Sequence, residues 1–380
     1  MAGVYVHIPF CASRCLYCDF FSTTALGRRR EYVDTLLQEM ENRKGEYESY
    51  DKGEVETIYI GGGTPSQLNP EELGKIIDSI YAHFRVSSDA EVTVECNPED
   101  VDAFFVKGLN QLPVNRVSMG VQTFDDTRLR FLERRHNRRK SLDAVQILQD
   151  NDYENISIDL MFGFPGEGLS DWERDLETAI GLAVPHLSAY SLMYEEGTRL
   201  TKLRDSGKIT PIADEESSAM YTLLLTYTEK CGYEHYEISN FSKAGYTSRH
   251  NSCYWTGVPY IGFGAGAHPY DGKNLRRWNL SMLDSYIKGV NEGGIYFENE
   301  LLNEKDIYNE YIMTRLRTRR GINILEFKHL FGEGKALTVF KEMMEKHVTL
   351  GNLTTESGFL HLTRKGLFIS DSVMSDLFLL

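Results

Sequence analysis

Through the first half of the chain, short apolar runs alternate with longer amphipathic stretches. The short runs fall at residues 4–8, 57–60, 91–95, 116–120, 156–160 and 186–192, and β-branched and aromatic residues recur in them. Between them, apolar positions recur with helical spacing at 32–40, 71–81, 142–150 and 172–183. Strands alternating with helices predict βαβ units and a parallel sheet. Six strands within residues 1–195 predict an α/β fold built on a partial, TIM-like (β/α)6 barrel rather than a closed eightfold one. Residues 196–300 break the alternation. They are rich in Tyr, Gly and Asn, and they predict an extension of the sheet region. From about residue 301 the pattern turns helical again, and 350–362 reads as a hairpin. Residues 301–380 therefore predict a small winged-helix-like appendage. A capping lid without nucleic-acid contact is the other reading of that segment.

Composition narrows the function classes. Apolar residues make up 41% of the 380-residue chain, enough for a sizeable core. The net charge of −15 argues against nucleic acid as a partner, because polyanion binders need a basic surface. No apolar run is long enough to span a membrane, and no signal peptide is legible at the N-terminus. Six cysteines are too few for a disulfide scaffold in a chain of this length. Three of them, Cys11, Cys15 and Cys18, share one short window, which reads as a metal or redox site in a cytoplasmic protein.

Each predicted strand runs into a chemically distinctive segment. The cysteine loop follows the first, "GGGTP" the second, "ECNP" the third, "MGVQTF" the fourth and "DLMFGFPGE" the fifth. In parallel α/β folds ligands bind at the carboxyl ends of the strands, so these segments are expected to converge on one cleft. Thiolates are soft ligands for zinc, copper or iron–sulfur iron. A C-x3-C-x2-C loop is able to hold three irons of a cubane and leave the fourth open. A zinc ion completed by His7 or His136 is the alternative, and coincidental cysteines the third. The glycines 61–63 serve either a tight turn or a close backbone approach to a ligand. Tyr5 reads as a core aromatic or as a ligand contact.

The ordered motifs resemble the radical S-adenosylmethionine (SAM) superfamily. "YVHIPFC", "GGGTP", "SMGVQ", "DLMFGFP" and "RHNSCYW" resemble its branch containing oxygen-independent coproporphyrinogen III oxidase and, within that branch, the HemW-type heme chaperones. The resemblance covers nearly the whole chain. It implies that Cys11, Cys15 and Cys18 hold a [4Fe–4S] cluster whose open iron takes the amino and carboxylate groups of SAM. It implies SAM contacts from Tyr5, Gly62, Gly63, Thr64, Glu95, Gln122, Arg134 and Asp159. Glu133 stands where the family usually has glycine before the arginine matched by Arg134.

Two features set the sequence apart from the oxidases it resembles. Those carry a further cysteine two positions beyond the third, where Phe20 stands here, and an N-terminal extension before the first strand. The resemblance thus implies a heme chaperone without coproporphyrinogen oxidase activity, with heme as cargo and an acceptor protein as partner; the alternative is the oxidase-type radical enzyme. Monomer and homodimer both remain open. In "RHNSCYW", His250 is a candidate heme ligand beside Tyr254 and Trp255, or else a satisfied histidine anchoring a loop. His268 is a second, weaker candidate.

Overall fold

In the computed structural model, which describes residues 2–46, 53–332 and 334–379, six strands lie parallel and in chain order. They are β1 (Ala2–Ile8), β2 (Val55–Gly62), β3 (Val86–Cys96), β4 (Arg116–Gln122), β5 (Ile156–Phe162) and β6 (His186–Ser191). The partial (β/α)6 barrel is therefore observed. The two-residue period of a strand explains its two faces. Val4, Val6 and Ile8 are fully buried in the apolar core. Tyr5 and His7 alternate to the other face, into the barrel. The β1–β2 register sets Tyr5 beside Tyr59, and their rings stack at 6.2 Å. Thr57, Thr93, Arg116, Ser118, Ser157, His186 and Ser188 are also buried, so the sheet carries a polar layer beside its apolar one.

Helices Arg29–Asn42, Pro70–His83, Arg138–Gln149 and Leu169–Gly181 follow their strands, as the periodicity predicts. The second starts on a capping box: the Glu72 N–H donates to the Asn69 side chain at 2.9 Å and the Asn69 N–H to Glu72 at 3.0 Å. Two short helices, Ala103–Leu109 and Asp126–Phe131, lie outside the predicted set.

The segment 196–300 extends the sheet at both edges. β7 (Glu234–Glu237) and β8 (Asn240–Ser242) add antiparallel beside β6. β9 (Tyr260–Phe263) adds parallel to β1. The order is β7-β8-β6-β5-β4-β3-β2-β1-β9, so β1 is an interior strand. β10 (Leu275–Asn279) and β11 (Phe297–Leu301) pair antiparallel beyond β9. The C-terminal part contains helices Glu304–Leu316, Ile324–Phe331 and Lys335–Thr349 and a three-stranded sheet of β12 (Ile322–Asn323), β13 (Leu353–Glu356) and β14 (Phe359–Leu362). β13 and β14 form the hairpin expected at 350–362. This part has its own apolar cluster, with Phe327 and Phe340 stacked at 3.9 Å. Among the described residues no helix is long and apolar enough to cross a membrane.

Candidate functional site

The cysteine loop leaves β1 and is pinned at its base by backbone bonds. The Cys11 N–H donates to the Thr23 carbonyl at 2.9 Å and the Thr23 N–H to the Pro9 carbonyl at 2.7 Å. Its middle docks on a neighbouring turn, where the Leu16 N–H donates to the Leu132 carbonyl at 3.1 Å. All three thiols are unbridged. Burial pushes the Cys11 thiol up and the Cys18 thiol up to about 11, and the neighbouring thiols add to both shifts. Among the described residues, no three His, Cys, Asp or Glu side chains converge tightly enough on one point for a single metal ion. The two histidines considered as zinc ligands are already engaged. His7 bonds Tyr5 and the Phe21 carbonyl, each at 3.0 Å. His136 bonds Glu99 at 3.2 Å and the Val121 carbonyl at 3.1 Å.

A chain of polar contacts joins two of the thiols. Thr64 Oγ1 donates to Cys11 Sγ at 3.4 Å, Asn97 Nδ2 to Thr64 Oγ1 at 3.2 Å, Arg134 Nη2 to Asn97 Oδ1 at 2.9 Å, and Arg134 Nη1 to Cys15 Sγ at 3.4 Å. Asn97 is not a residue that the sequence motifs single out. Its signal is its place in "ECNP", directly after β3. Arg134 Nε is buried with no partner, a donor left for an acceptor that the protein does not supply. Burial opposes the charge of this guanidinium, yet the Tyr17 phenol and Cys15 thiol beside it raise its pKa further.

Local backbone chemistry puts Arg134 there. Helix Asp126–Phe131 ends in a Schellman motif: the Arg134 N–H donates to the Leu129 carbonyl at 2.9 Å and the Glu133 N–H to the Arg130 carbonyl at 3.1 Å. The motif requires a left-handed residue just past the cap, and Glu133 has φ 61. That is the physical reason for glycine at this position. Here the Glu133 side chain instead makes an exposed two-point ion pair with Arg199.

The remaining residues lie at the ends of β2 to β5. Gly62 has φ 114, as a tight turn requires, and a Cβ on Gly63 would stand 3.0 Å from Cys11 Sγ, so the backbone here runs close against the cysteine loop. Glu95 accepts from the Tyr59 hydroxyl at 2.6 Å and the Gly62 N–H at 3.0 Å. Burial pushes its carboxyl up to about 7, so near neutral pH it holds or releases a proton readily. Gln122 has φ 69, at a shift in the β4–β5 register that re-aims its side chain. Asp159 is pushed up by burial while Ser188 and Ser118 stabilise its charge. The unpartnered Arg134 donor, the elevated carboxyls and the glycine approach together suit a ligand carrying carboxylate, ammonium and hydroxyl groups.

His250, the candidate heme ligand, lies apart from the cysteine site. It is fully buried on helix Arg249–Thr256. Its Nδ1 meets Thr57 Oγ1 at 2.8 Å and its Nε2 the Tyr254 hydroxyl at 2.9 Å, so both nitrogens are hydrogen-bonded. Its ring stacks on Tyr59 at 5.0 Å, and a Cβ on Gly3 would touch it. It fills the barrel near the amino-terminal ends of β1 and β2, away from the cysteines. The Arg317 guanidinium lies 4.6 Å over the ring of Trp255.

Comparisons with known proteins agree with this arrangement. The radical SAM superfamily model matches residues 5–179, and the HemN C-terminal domain model matches residues 302–369. The chain is 36% identical over 380 residues to the heme chaperone HemW of Bacillus subtilis (strain 168), covering 98% of both chains. It is 32% identical to the heme chaperone HemW of Escherichia coli (strain K12), covering 99% of this chain and 98% of that one. It is 30% identical to the mitochondrial radical S-adenosyl methionine domain-containing protein 1 of Danio rerio, covering 100% of this chain and 87% of that one. Among solved structures, coproporphyrinogen III oxidase (HemN) from Escherichia coli matches with a TM-score of 0.84 at 19% identity, covering 99% of this chain and 90% of that one; this likeness concerns the fold. With the strand-end cysteines, the barrel and full-length kinship in agreement, the chain belongs to the HemW family of the radical SAM superfamily.

Proposed function

We propose that this protein is a heme chaperone that carries a [4Fe–4S] cluster and SAM, binds heme and passes it to an acceptor protein. The observation that carries the reading is the three-thiol strand-end site on a chain that is similar over its whole length to proteins named heme chaperones. Residues 1–195 hold the cofactors, 196–300 extend the sheet, and 301–380 form the helical appendage. All six cysteines are unbridged, in keeping with a cytoplasmic protein. Cys11, Cys15 and Cys18 hold the cluster, which when reduced supplies one-electron chemistry to bound SAM. Arg134 orients the SAM carboxylate through its free Nε. Glu95, Gln122 and Asp159 receive the ammonium and ribose hydroxyls, and Gly62, Gly63 and Thr64 let the backbone approach. Tyr5 backs the adenine side. Phe20, 65% exposed, stands where the oxidases have cysteine, so nothing at that position supplies a further thiol.

The test is made on one anaerobically reconstituted preparation. The protein is expected to bind hemin and transfer it to an apo heme protein, and to leave coproporphyrinogen III undecarboxylated in the presence of SAM and a reductant. Robust decarboxylation, or no hemin binding, would overturn the reading. A second expectation concerns the SAM pocket. Arg134→Ala removes a charge-assisted hydrogen bond and is expected to weaken SAM binding by on the order of 1.5–3 kcal/mol, measured by anaerobic calorimetry. Unchanged affinity would remove Arg134 from the pocket. Gly62→Val is a poorer probe, because a Cβ at Gly62 would stand 2.7 Å from the His7 ring, which holds the Phe21 carbonyl.

A further inference from the structure

One directed run of hydrogen bonds ties three strand ends together, and Asn97 is its middle. Thr64 stands after β2, Asn97 after β3 and Arg134 after helix Asp126–Phe131. A guanidinium only donates, so the Asn97 side chain turns its carbonyl to Arg134 and its N–H to Thr64. The Thr64 oxygen accepts that N–H, which leaves its own hydrogen for Cys11 Sγ. The run is thereby directed from Arg134 through Asn97 and Thr64 to Cys11. A second branch leaves the same guanidinium for Cys15 Sγ. Both branches end on sulfur.

The Asn97 side chain serves this run and nothing local. Asparagine before proline ordinarily turns its side chain onto the backbone that follows. At the start of the short turn Pro98–Asp100, Asn97 makes no such cap. Its backbone is held by other residues: the Asn97 N–H donates to Ser66 Oγ at 3.1 Å, and the Ser66 hydroxyl donates to Asp100 at 2.7 Å. β4 makes room for the guanidinium, since a Cβ on Gly120 would stand 2.9 Å from Arg134 Nη2. Cys15 holds Arg134 Nη1, and Asn97 and the Gly120 carbonyl hold Nη2. Nε is the nitrogen left without a partner.

We propose that Asn97 is a positioning residue for both cofactors: it aims Arg134 at the SAM carboxylate and turns the Thr64 hydroxyl onto a sulfur of the cluster. This assignment rests on the cluster and SAM reading above and adds a residue that serves both. Hydrogen bonds to the sulfurs stabilise the reduced, more negative cluster and so raise its potential. One side chain then sets how readily the cluster takes an electron and how firmly SAM is held. Asn97→Asp is the diagnostic change, because it keeps the shape and reverses the polarity of one arm. A carboxylate has no N–H to give, so the Thr64 hydroxyl donates to it and Cys11 loses its hydrogen bond. The same carboxylate competes with SAM for the Arg134 charge.

The experiment uses full-length protein, reconstituted anaerobically to the wild-type iron content. Redox titration followed by electron paramagnetic resonance reads the midpoint potential, and calorimetry reads SAM affinity. Asn97→Asp is expected to lower the potential and to weaken SAM binding about tenfold. Thr64→Val tests the sulfur arm by itself: it offers Cys11 no donor and is expected to lower the potential, while Thr64→Ser keeps it at the wild-type value. A merely structural role for Asn97 would cost stability and leave the potential where it is. A wild-type potential or a wild-type SAM affinity in Asn97→Asp, or a wild-type potential in Thr64→Val, would overturn the proposal and leave the cluster and SAM reading intact. A wild-type protein that takes up no cluster or binds no SAM would overturn both.

Discussion

Replacing Cys11, Cys15 or Cys18 singly by Ala is expected to abolish the broad visible absorption of the reconstituted protein, together with about four iron atoms per chain. The expected effect is all-or-none because the loop has no spare ligand. Of the other cysteines, Cys96 alternates to the apolar side of β3 and sits in the core, and Cys253 is buried on helix Arg249–Thr256. His7 and His136, the nearest candidates for rescue, have both ring nitrogens engaged. Folding is expected to survive, since the loop is tied by backbone bonds at Cys11, Thr23 and Leu16 that do not involve thiols. Cys11→Ala also deprives the Thr64 hydroxyl of its sulfur acceptor, at a cost on the order of 1 kcal/mol. Iron and sulfide analysis on anaerobically reconstituted variants decides the matter. Retention of the wild-type iron and sulfide content in all three variants would remove the cysteines from the site.

How far the sequence reveals this architecture depends on how local its causes are. The strands and the strand-end motifs are legible because each is a continuous run with its own period. β1 shows this: Val4, Val6 and Ile8 face the core while Tyr5 and His7 face inward. The role of Glu133 is legible only as a departure from a pattern; its cause, a left-handed residue closing a helix, needs backbone angles. The addition of β9 to β1 is not legible, because parallel pairing between distant segments leaves no local period. His250 is ambiguous in sequence for the same reason. Its chemistry suits iron, and its contacts with Thr57 and Tyr254 exist only because the fold brings these residues together. Asn97 is hidden because an asparagine before proline after a strand reads as a turn residue.

The clearest case of a non-local cause is Glu39, and Glu39→Ala is expected to destabilise the protein by about 3–5 kcal/mol. In sequence Glu39 is an ordinary charged position in an amphipathic helix. In the structure it is fully buried and Arg43 is 5% exposed. Its Oε1 accepts from Arg43 Nη1 and from Asn279 Nδ2, each at 2.8 Å. Its Oε2 accepts from the Gly264 N–H at 2.8 Å and the Tyr286 hydroxyl at 2.7 Å. One carboxylate thus ties helix Arg29–Asn42 to the turn after β9, to β10 and to helix Leu283–Glu292. Alanine takes one of two carboxylate partners from Arg43, which keeps Glu46, and removes the acceptor from three further buried donors. Glu39→Gln keeps the shape and one carbonyl acceptor, so a smaller loss is expected. Urea denaturation of the two variants checks the order, and a loss below about 1 kcal/mol for Glu39→Ala would show that the network carries little stability.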